Sequence, residues 1–249
     1  MTRAEGGARR FRPTLWPTVF TVFALFVMLG LGVWQVERLA WKTTLIATRT
    51  AHLAGPLLRD PGAVDPARQV YRRLRLRGRF LHDKEMYLAA RSLRGHLGFH
   101  VVTPLRLADG SAVLVDRGFV PFEAKDPARR PRGQRAGEVM VTGVIRRGGR
   151  SSVFTPGNRP DRNIWYTVDL RAMARHAGLS RIAPYFVEAD ATDNPGGLPV
   201  GGQTRTRWPN DHLQYAITWF ALAIALMVIY VIYHLRPEGK DENRDGAPS

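Results

Sequence analysis

There is no cysteine among the 249 residues. That absence excludes a disulfide-stapled domain, a thiolate copper carrier, a zinc finger and a covalently attached c-type haem. Negative charge is scarce as well: 21 Asp and Glu stand against 37 Lys and Arg, giving a formal net charge of +16. Catalytic signatures are missing too. The chain has no Walker loop, no G-x-S-x-G elbow and no H-E-x-x-H helix, and its carboxylates show no convincing acid/base pairing. Nothing in the residues marks an enzyme. The middle of the chain must be held by an ordinary apolar core, for which it is long enough.

Long uncharged runs are also few, but the two present are decisive. Leu15 to Trp34 is a 20-residue stretch without a charge, with Trp16 and Trp34 near its ends as interfacial anchors. A second runs from Leu213 to Tyr233; at about 1.5 Å per residue the helix from His212 to Tyr233 is roughly 31 Å long, close to the hydrocarbon thickness. The rival reading of the first run is a signal peptide, since Arg3, Arg9, Arg10 and Arg12 precede it. Its apolar length and the lack of a small-x-small cleavage site favour an uncleaved anchor. The expected layout is an N-terminal tail over 1–14, spans over 15–34 and 213–233, a domain over 35–212 on the opposite side of the membrane from both tails, and a C-terminal tail over 234–249. The N-terminal arginines favour cytoplasmic tails, and the large positive excess of the middle segment does not overturn this, because long segments translocate largely regardless of charge. A basic domain tethered outside the cytoplasm suits anionic lipid or an acidic partner and leaves no role for nucleic acid.

The domain reads mainly as strands. From Leu74 to Phe80 apolar or small positions alternate with Arg73, Arg75, Arg77 and Arg79. That arginine row is either a solvated face that blunts a sheet edge or a surface for headgroups or an acidic partner. Further strands are expected over Glu85 to Arg91, Phe99 to Leu107, Ala112 to Val120 and Gly137 to Arg147, with weaker ones over Asn163 to Val168 and Tyr185 to Ala189. Asp109-Gly110 supplies a hairpin turn. One soluble helix follows Asp169 as cap and ends at Gly178. The expected fold is an α+β membrane protein: two transmembrane helices flanking a mainly antiparallel extracytoplasmic sheet or barrel with one or two short helices. His96 and His100 are four apart, but the glycines and strand pattern around them argue against a shared helical metal site. The basic stretch Arg129-Arg130-Pro131-Arg132, with Arg135, reads as an exposed loop.

The membrane boundaries carry the candidate site. Trp34, Arg38 and Trp41 fall at i, i+4 and i+7 on one helical stripe, and Trp208, His212, Tyr215 and Trp219 form another. One reading is an interfacial aromatic belt with snorkelling cations. The other has the two stripes facing each other around a flat apolar ligand with a polar edge, His212 offering a ring nitrogen to a metal and Arg38 a cation to an acidic group.

The blocks Gly32 to Lys42, Gly78-Arg79-Phe80 with Glu85 and Arg91, Leu114-Val115-Asp116-Arg117-Gly118-Phe119-Val120-Pro121, Asn158-Arg159-Pro160 with Asn163-Ile164-Trp165-Tyr166, and Asn210 to Trp219 resemble, in order and spacing, the surfeit-locus family of cytochrome c oxidase assembly factors. The likeness extends from about Pro13 to Tyr233. It implies a protein of the bacterial inner membrane with a periplasmic domain, or of the mitochondrial inner membrane in eukaryotes. The acidic C-terminal tail and the missing transit peptide fit the bacterial case. It further implies binding of haem a and assistance in its insertion into oxidase subunit I, with haem A synthase and other assembly factors as further partners. His212 falls at the family's proposed haem ligand. The Trp-Gln-x-x-Arg motif corresponds to Trp34, Gln35 and Arg38, and the Arg-Gly-aromatic-x-Pro motif to Arg117, Gly118, Phe119 and Pro121. Asp116 departs mildly from a position where many members have asparagine. On this reading Trp34, Gln35, Arg38, Trp41, Tyr215 and Trp219 surround the haem and His212 is its axial ligand. The alternative is a haem-free scaffold or chaperone that holds an assembly intermediate of subunit I.

Overall fold

A computed structural model describes residues 9–149 and 155–237, so the outer parts of both expected tails lie outside the described residues. The elements in chain order are β1 (Arg9–Phe11), α1 (Leu15–Ala54), β2 (Arg73–Phe80), β3 (Met86–Leu93), β4 (His96–Arg106), β5 (Ala112–Pro121), β6 (Glu138–Arg146), β7 (Ile164–Trp165), α2 (Leu170–His176), β8 (Ile182–Ala189), α3 (His212–His234) and β9 (Leu235–Pro237). Two compact units divide the chain, one of residues 1–45 with 209–249 and one of residues 46–208.

The first unit is a pair of helices, α3 and the opening three-quarters of α1. Both are long and apolar enough to cross a membrane. Their contacts show an antiparallel pair: Thr14 Oγ1 and His234 Nε2 lie 3.0 Å apart, Thr18 Oγ1 and Tyr230 Oη 2.7 Å, and at the other end Asn210 Nδ2 donates to Thr43 Oγ1 at 3.3 Å. The short strands β1 and β9 pair antiparallel where the helix pair ends. Small residues make the contact. Ala216 and Ala223 are the buried positions in the apolar body of α3, and Gly32 and Gln35 those of α1. In hydrocarbon, helices gain little from burying Leu against Leu, so close backbone approach at Gly and Ala is what holds such a pair.

The second unit is a barrel. Strand order β2-β6-β8-β5-β4 closes on itself through a short β2–β4 seam, Arg79 opposite Arg106 and Phe80 opposite Leu105, while β3 and β7 continue the sheet outward from β4. Pairings are antiparallel except β5–β8 and β3–β7. The fold class expected from the sequence is the one found. In β2 the arginines face out and Leu74, Leu76, Gly78 and Phe80 face in, as the alternation requires. The interior holds Leu74, Leu76, Leu105, Val113, Val115, Ile145, Tyr185 and Val187. Outside the barrel wall, Met86, Leu88, Leu114, Trp165, Met173 and Phe186 form a second core under α2. Strand β5 is therefore buried on both faces from Ala112 to Val120 and does not alternate.

Local signals behave as their chemistry dictates. Asp169 caps α2 by accepting from the Ala172 amide at 3.0 Å, and Gly110 takes φ +78° in the β4–β5 turn. Two strand expectations need correction. Asn163 to Val168 shrinks to the two residues of β7, because Asn163 is left-handed at φ +50° and Asn158 Oδ1 accepts the Tyr166 and Thr167 amides. Strand β8 begins earlier, at Ile182, and carries Pro184 across a register shift against β5, where no ladder amide is needed.

Candidate functional site

Gln35 and His212 meet at the start of α3. The Gln35 side chain lies on the α1 stripe that faces α3, one turn after Gly32, and a Cβ added at Gly32 would stand 2.7 Å from the Phe220 ring. This near approach turns the Gly32/Gln35 stripe toward the partner helix. Gln35 is 9% exposed, and an amide so placed needs a partner. It finds one in His212: Nδ1 lies 2.7 Å from Gln35 Oε1. A carbonyl oxygen only accepts, so Nδ1 carries the proton and donates. The lone pair of His212 is thereby left on Nε2, which is the arrangement that orients a metal-binding imidazole.

The expected opposition of two aromatic stripes is not what the helix pair builds. Trp34, Trp41 and Tyr215 are 51%, 52% and 58% exposed, Arg38 is also exposed, and Trp219 is half-buried. At about 100° per residue, Trp34, Arg38 and Trp41 fall to one side of Gln35, and Tyr215 and Trp219 fall to the same side of the antiparallel partner. They share a flank of the pair. Bulky indoles do not fit between helices that touch through Gly32, Ala216 and Ala223, so the amide of Gln35, and not the tryptophans, faces the imidazole. On the flank Arg38 stacks its guanidinium on Trp41 at 4.1 Å. Trp208, the first member of the expected second stripe, belongs to the domain, where Arg49 stands 5.3 Å over its ring and Tyr71 packs edge-on at 5.6 Å.

Within the domain, buried charge forms two clusters that sequence periodicity does not reveal. Glu85 is the hub of the first. It receives Arg130 Nη2 at 2.5 Å and Nη1 at 3.3 Å, and Arg117 Nη1 at 3.2 Å, with His82 Nδ1 3.5 Å away. Arg117 also donates to the Gly133 carbonyl and lies 4.8 Å over the Phe80 ring. Burial alone would raise the Glu85 carboxyl, but the neighbouring His82 ring, the Arg130 hydrogen bonds and the two guanidinium charges outweigh it and hold it at about 2. Burial pulls Arg117 down to about 10 against the attraction of Glu85. The stretch 129–132 is thus not simply an exposed loop. Arg130 is 4% exposed and bonds the Ala124 and Lys125 carbonyls, because a carboxylate buried with Arg117 needs a second cation and more donors to offset its desolvation. In the second cluster Asp116 accepts from the Gly118 amide at 3.0 Å and pairs with His100 Nδ1 at 2.8 Å. It sits within β5. Gly118 beside it has φ +115°, and a Cβ there would collide with the Val200 carbonyl.

Together these features define a class: a membrane protein with two apolar helices, joined by a barrel domain, that presents an oriented histidine at one end of its helix pair. The chain belongs to the SURF1 family, whose model matches residues 22–224. It is 38% identical to Surfeit locus protein 1 of Rattus norvegicus over 229 residues, covering 85% of this chain and 73% of the relative. Against Surfeit locus protein 1 of Homo sapiens the figures are 38% over 226 residues, 83% and 74%, and against a SURF1-like protein of Monosiga brevicollis 37% over 235 residues, 89% and 88%.

Proposed function

We propose that this protein is an assembly factor for haem-copper cytochrome c oxidase, which binds haem a at the His212 end of its helix pair and assists its insertion into subunit I. The observation that carries the haem part is the Gln35–His212 hydrogen bond, which engages Nδ1 and leaves Nε2 available to iron. The residues fit the group. His212 would ligate the iron, Arg38 would pair a propionate, and Trp34, Trp41, Tyr215 and Trp219 would offer an aromatic flank to the macrocycle or the isoprenoid tail. When bound, haem a would supply an iron that accepts the imidazole lone pair. A boundary site suits it, because its tail belongs in hydrocarbon and its propionates in water. Gln35 holds the proton on Nδ1 throughout, and the close helix contact at Gly32 keeps Gln35 in place.

Family membership supports the assembly role; subunit I as the recipient and haem A synthase as the donor partner are part of the same proposal. The two apolar helices support membrane residence; a bacterial inner membrane, a periplasmic barrel and cytoplasmic tails complete the reading. No covalent bond is made or broken by the protein in this role, so it is no enzyme. The test is a Soret spectrum and haem stoichiometry of the full chain purified from cells that make haem A. A bound band that His212→Ala abolishes is expected. An unchanged band and stoichiometry in that variant sink the ligand assignment. Subunit I co-purifying equally with a haem-free variant, and finished oxidase with normal haem a content, would favour the scaffold reading instead.

A further inference from the structure

The barrel carries a second oriented histidine, and it opens onto a cleft with no role in the proposed haem chemistry. The cleft has a volume of about 600 Å³ and is walled by β3, β4, β5, β6 and β8 with the segment around Gln203. Two irregularities in the sheet shape it. The β3–β4 ladder slips between Leu88 and Arg91, and the β4–β5 ladder slips between His100 and Val102. Ala90, in the first slip, takes φ +55°, a strained conformation for a residue with a Cβ. Bulges of this kind re-aim the side chains beside them. Here they set Arg91 and His100 on the cleft wall.

The polar groups in the cleft are not balanced. Three arginines reach it from separate segments, Arg91, Arg146 and Arg205, against the carboxylates of Asp116 and Glu188. Arg146 Nε stands 3.5 Å from Glu188 Oε1; among the described residues Arg91 and Arg205 have no carboxylate partner. Asp116 is fully engaged by Gly118 and His100, which leaves His100 Nε2 for the cleft. Among the described residues Glu188 Oε2 is buried with no donor in hydrogen-bonding geometry, Thr204 being the hydroxyl beside the carboxyl. A buried carboxylate oxygen without a donor is costly and marks a place where a donor is missing.

We infer that this cleft binds a small hydroxylated anion of the phosphoglycerol type: its phosphate between Arg91 and Arg205, one hydroxyl donating to Glu188 Oε2 and another to His100 Nε2. Guanidiniums prefer phosphate or carboxylate oxygens in paired geometry, and the two acceptors deeper in the cleft require hydroxyl or amide donors on the same ligand. A bare anion would satisfy the rim and leave Glu188 Oε2 without a donor. An organic cation would meet the rim arginines first. Burial pushes the Glu188 carboxyl up against the opposing pull of Arg146 and of a hydrogen bond from Thr204. The same chemistry occurs on the headgroup of an anionic glycerophospholipid and on soluble glycerol phosphates.

The test is calorimetric titration of the full chain in detergent with glycerol 3-phosphate, glycerol and inorganic phosphate. Saturable binding of glycerol 3-phosphate is expected, about tenfold tighter than inorganic phosphate, with glycerol alone inert. The pair Arg91→Ala with Arg205→Ala should weaken it about tenfold or more, and Glu188→Gln should narrow its advantage over phosphate. In nanodiscs, phosphatidylglycerol that competes the titrant away in comparison with phosphatidylcholine identifies a lipid headgroup; undiminished titration in both identifies a soluble ligand, and either supports the inference. No saturable heat up to about 10 mM, equal binding of inorganic phosphate, or unchanged affinity in the arginine double variant overturns it.

Discussion

Replacing Gln35 with leucine removes the acceptor from His212 while nearly preserving side-chain volume, so it isolates the orienting hydrogen bond from helix packing. The bond is 2.7 Å long and its acceptor is 9% exposed. Without it Nδ1–H has no fixed partner, the ring is free to turn, and the lone pair divides between the two nitrogens. Removing such an outer partner of a metal-binding histidine typically weakens metal affinity by about 10- to 100-fold, or roughly 1.4–2.7 kcal/mol. The assay is an optical haem titration of the full chain in detergent, comparing wild type, Gln35→Leu and Gln35→Glu. Gln35→Leu should bind more weakly, with added imidazole restoring the wild-type Soret position. Gln35→Glu should keep the bond and make the imidazole a stronger donor, lowering the iron reduction potential. Because the barrel has its own core, its thermal unfolding should be unchanged in all three. Equal affinity and an identical spectrum for Gln35→Leu would refute the orienting role even if His212 itself proved to be the ligand.

The barrel should be sensitive to acid through Glu85. Its carboxyl is held at about 2 against an ordinary 4.5, so its contribution is complete above about pH 4.5 and is lost as pH falls toward 2; the shift corresponds to about 3 kcal/mol. Circular dichroism against pH should show that loss in the wild type and a flatter profile over the same window in Glu85→Gln, which should itself cost about 3–5 kcal/mol at neutral pH by leaving two buried guanidiniums without a counter-charge. A Glu85→Gln barrel as stable as wild type at pH 7 contradicts the hub role. Gly118→Ala combines a φ of +115° with a collision at the Val200 carbonyl, so chemical denaturation should show a loss of about 3 kcal/mol or more. A loss under about 1 kcal/mol would mean that the 200–201 segment yields freely.

Legibility of the fold followed how many faces of an element meet water. Strand β2 has one wet face, and its alternation of arginine with Leu74, Leu76 and Phe80 specified both its existence and its register. Strand β5 has none, and its apolar run from Ala112 announced a strand without saying which side chain faced which core. Barrel closure rests on the two-residue seam at Arg79 and Phe80, which has no periodic signature at all. The helix pair was readable as two spans, but their contact was not. That contact depends on Gly32, Ala216 and Ala223, whose importance lies in the side chain they lack, whereas apolar pattern weighs the bulky residues that end up on the outside.

The site was legible to the same depth and failed for the same reason. His212 stood out because it opens an apolar run, and Trp34 and Trp41 stood out because they are large. The residue that sets His212's chemistry is Gln35, on the neighbouring stripe about 100° from Trp34, and a single amide inside an apolar helix has no partner visible in its own segment. The buried charges behave alike. Arg117 and Arg130 are separated by 32 and 45 residues along the chain from Glu85, the carboxylate that joins them, and His100 lies 16 residues from Asp116. Within its own stretch Arg130 is one arginine among several, and only closure of the barrel decides that it turns inward. A buried charge, however, must have a counter-charge. The Asp116-Arg117 pair inside the apolar run of β5 therefore already demanded an acid and a base elsewhere in the chain, and a search for those two partners is the inference the sequence could have supported.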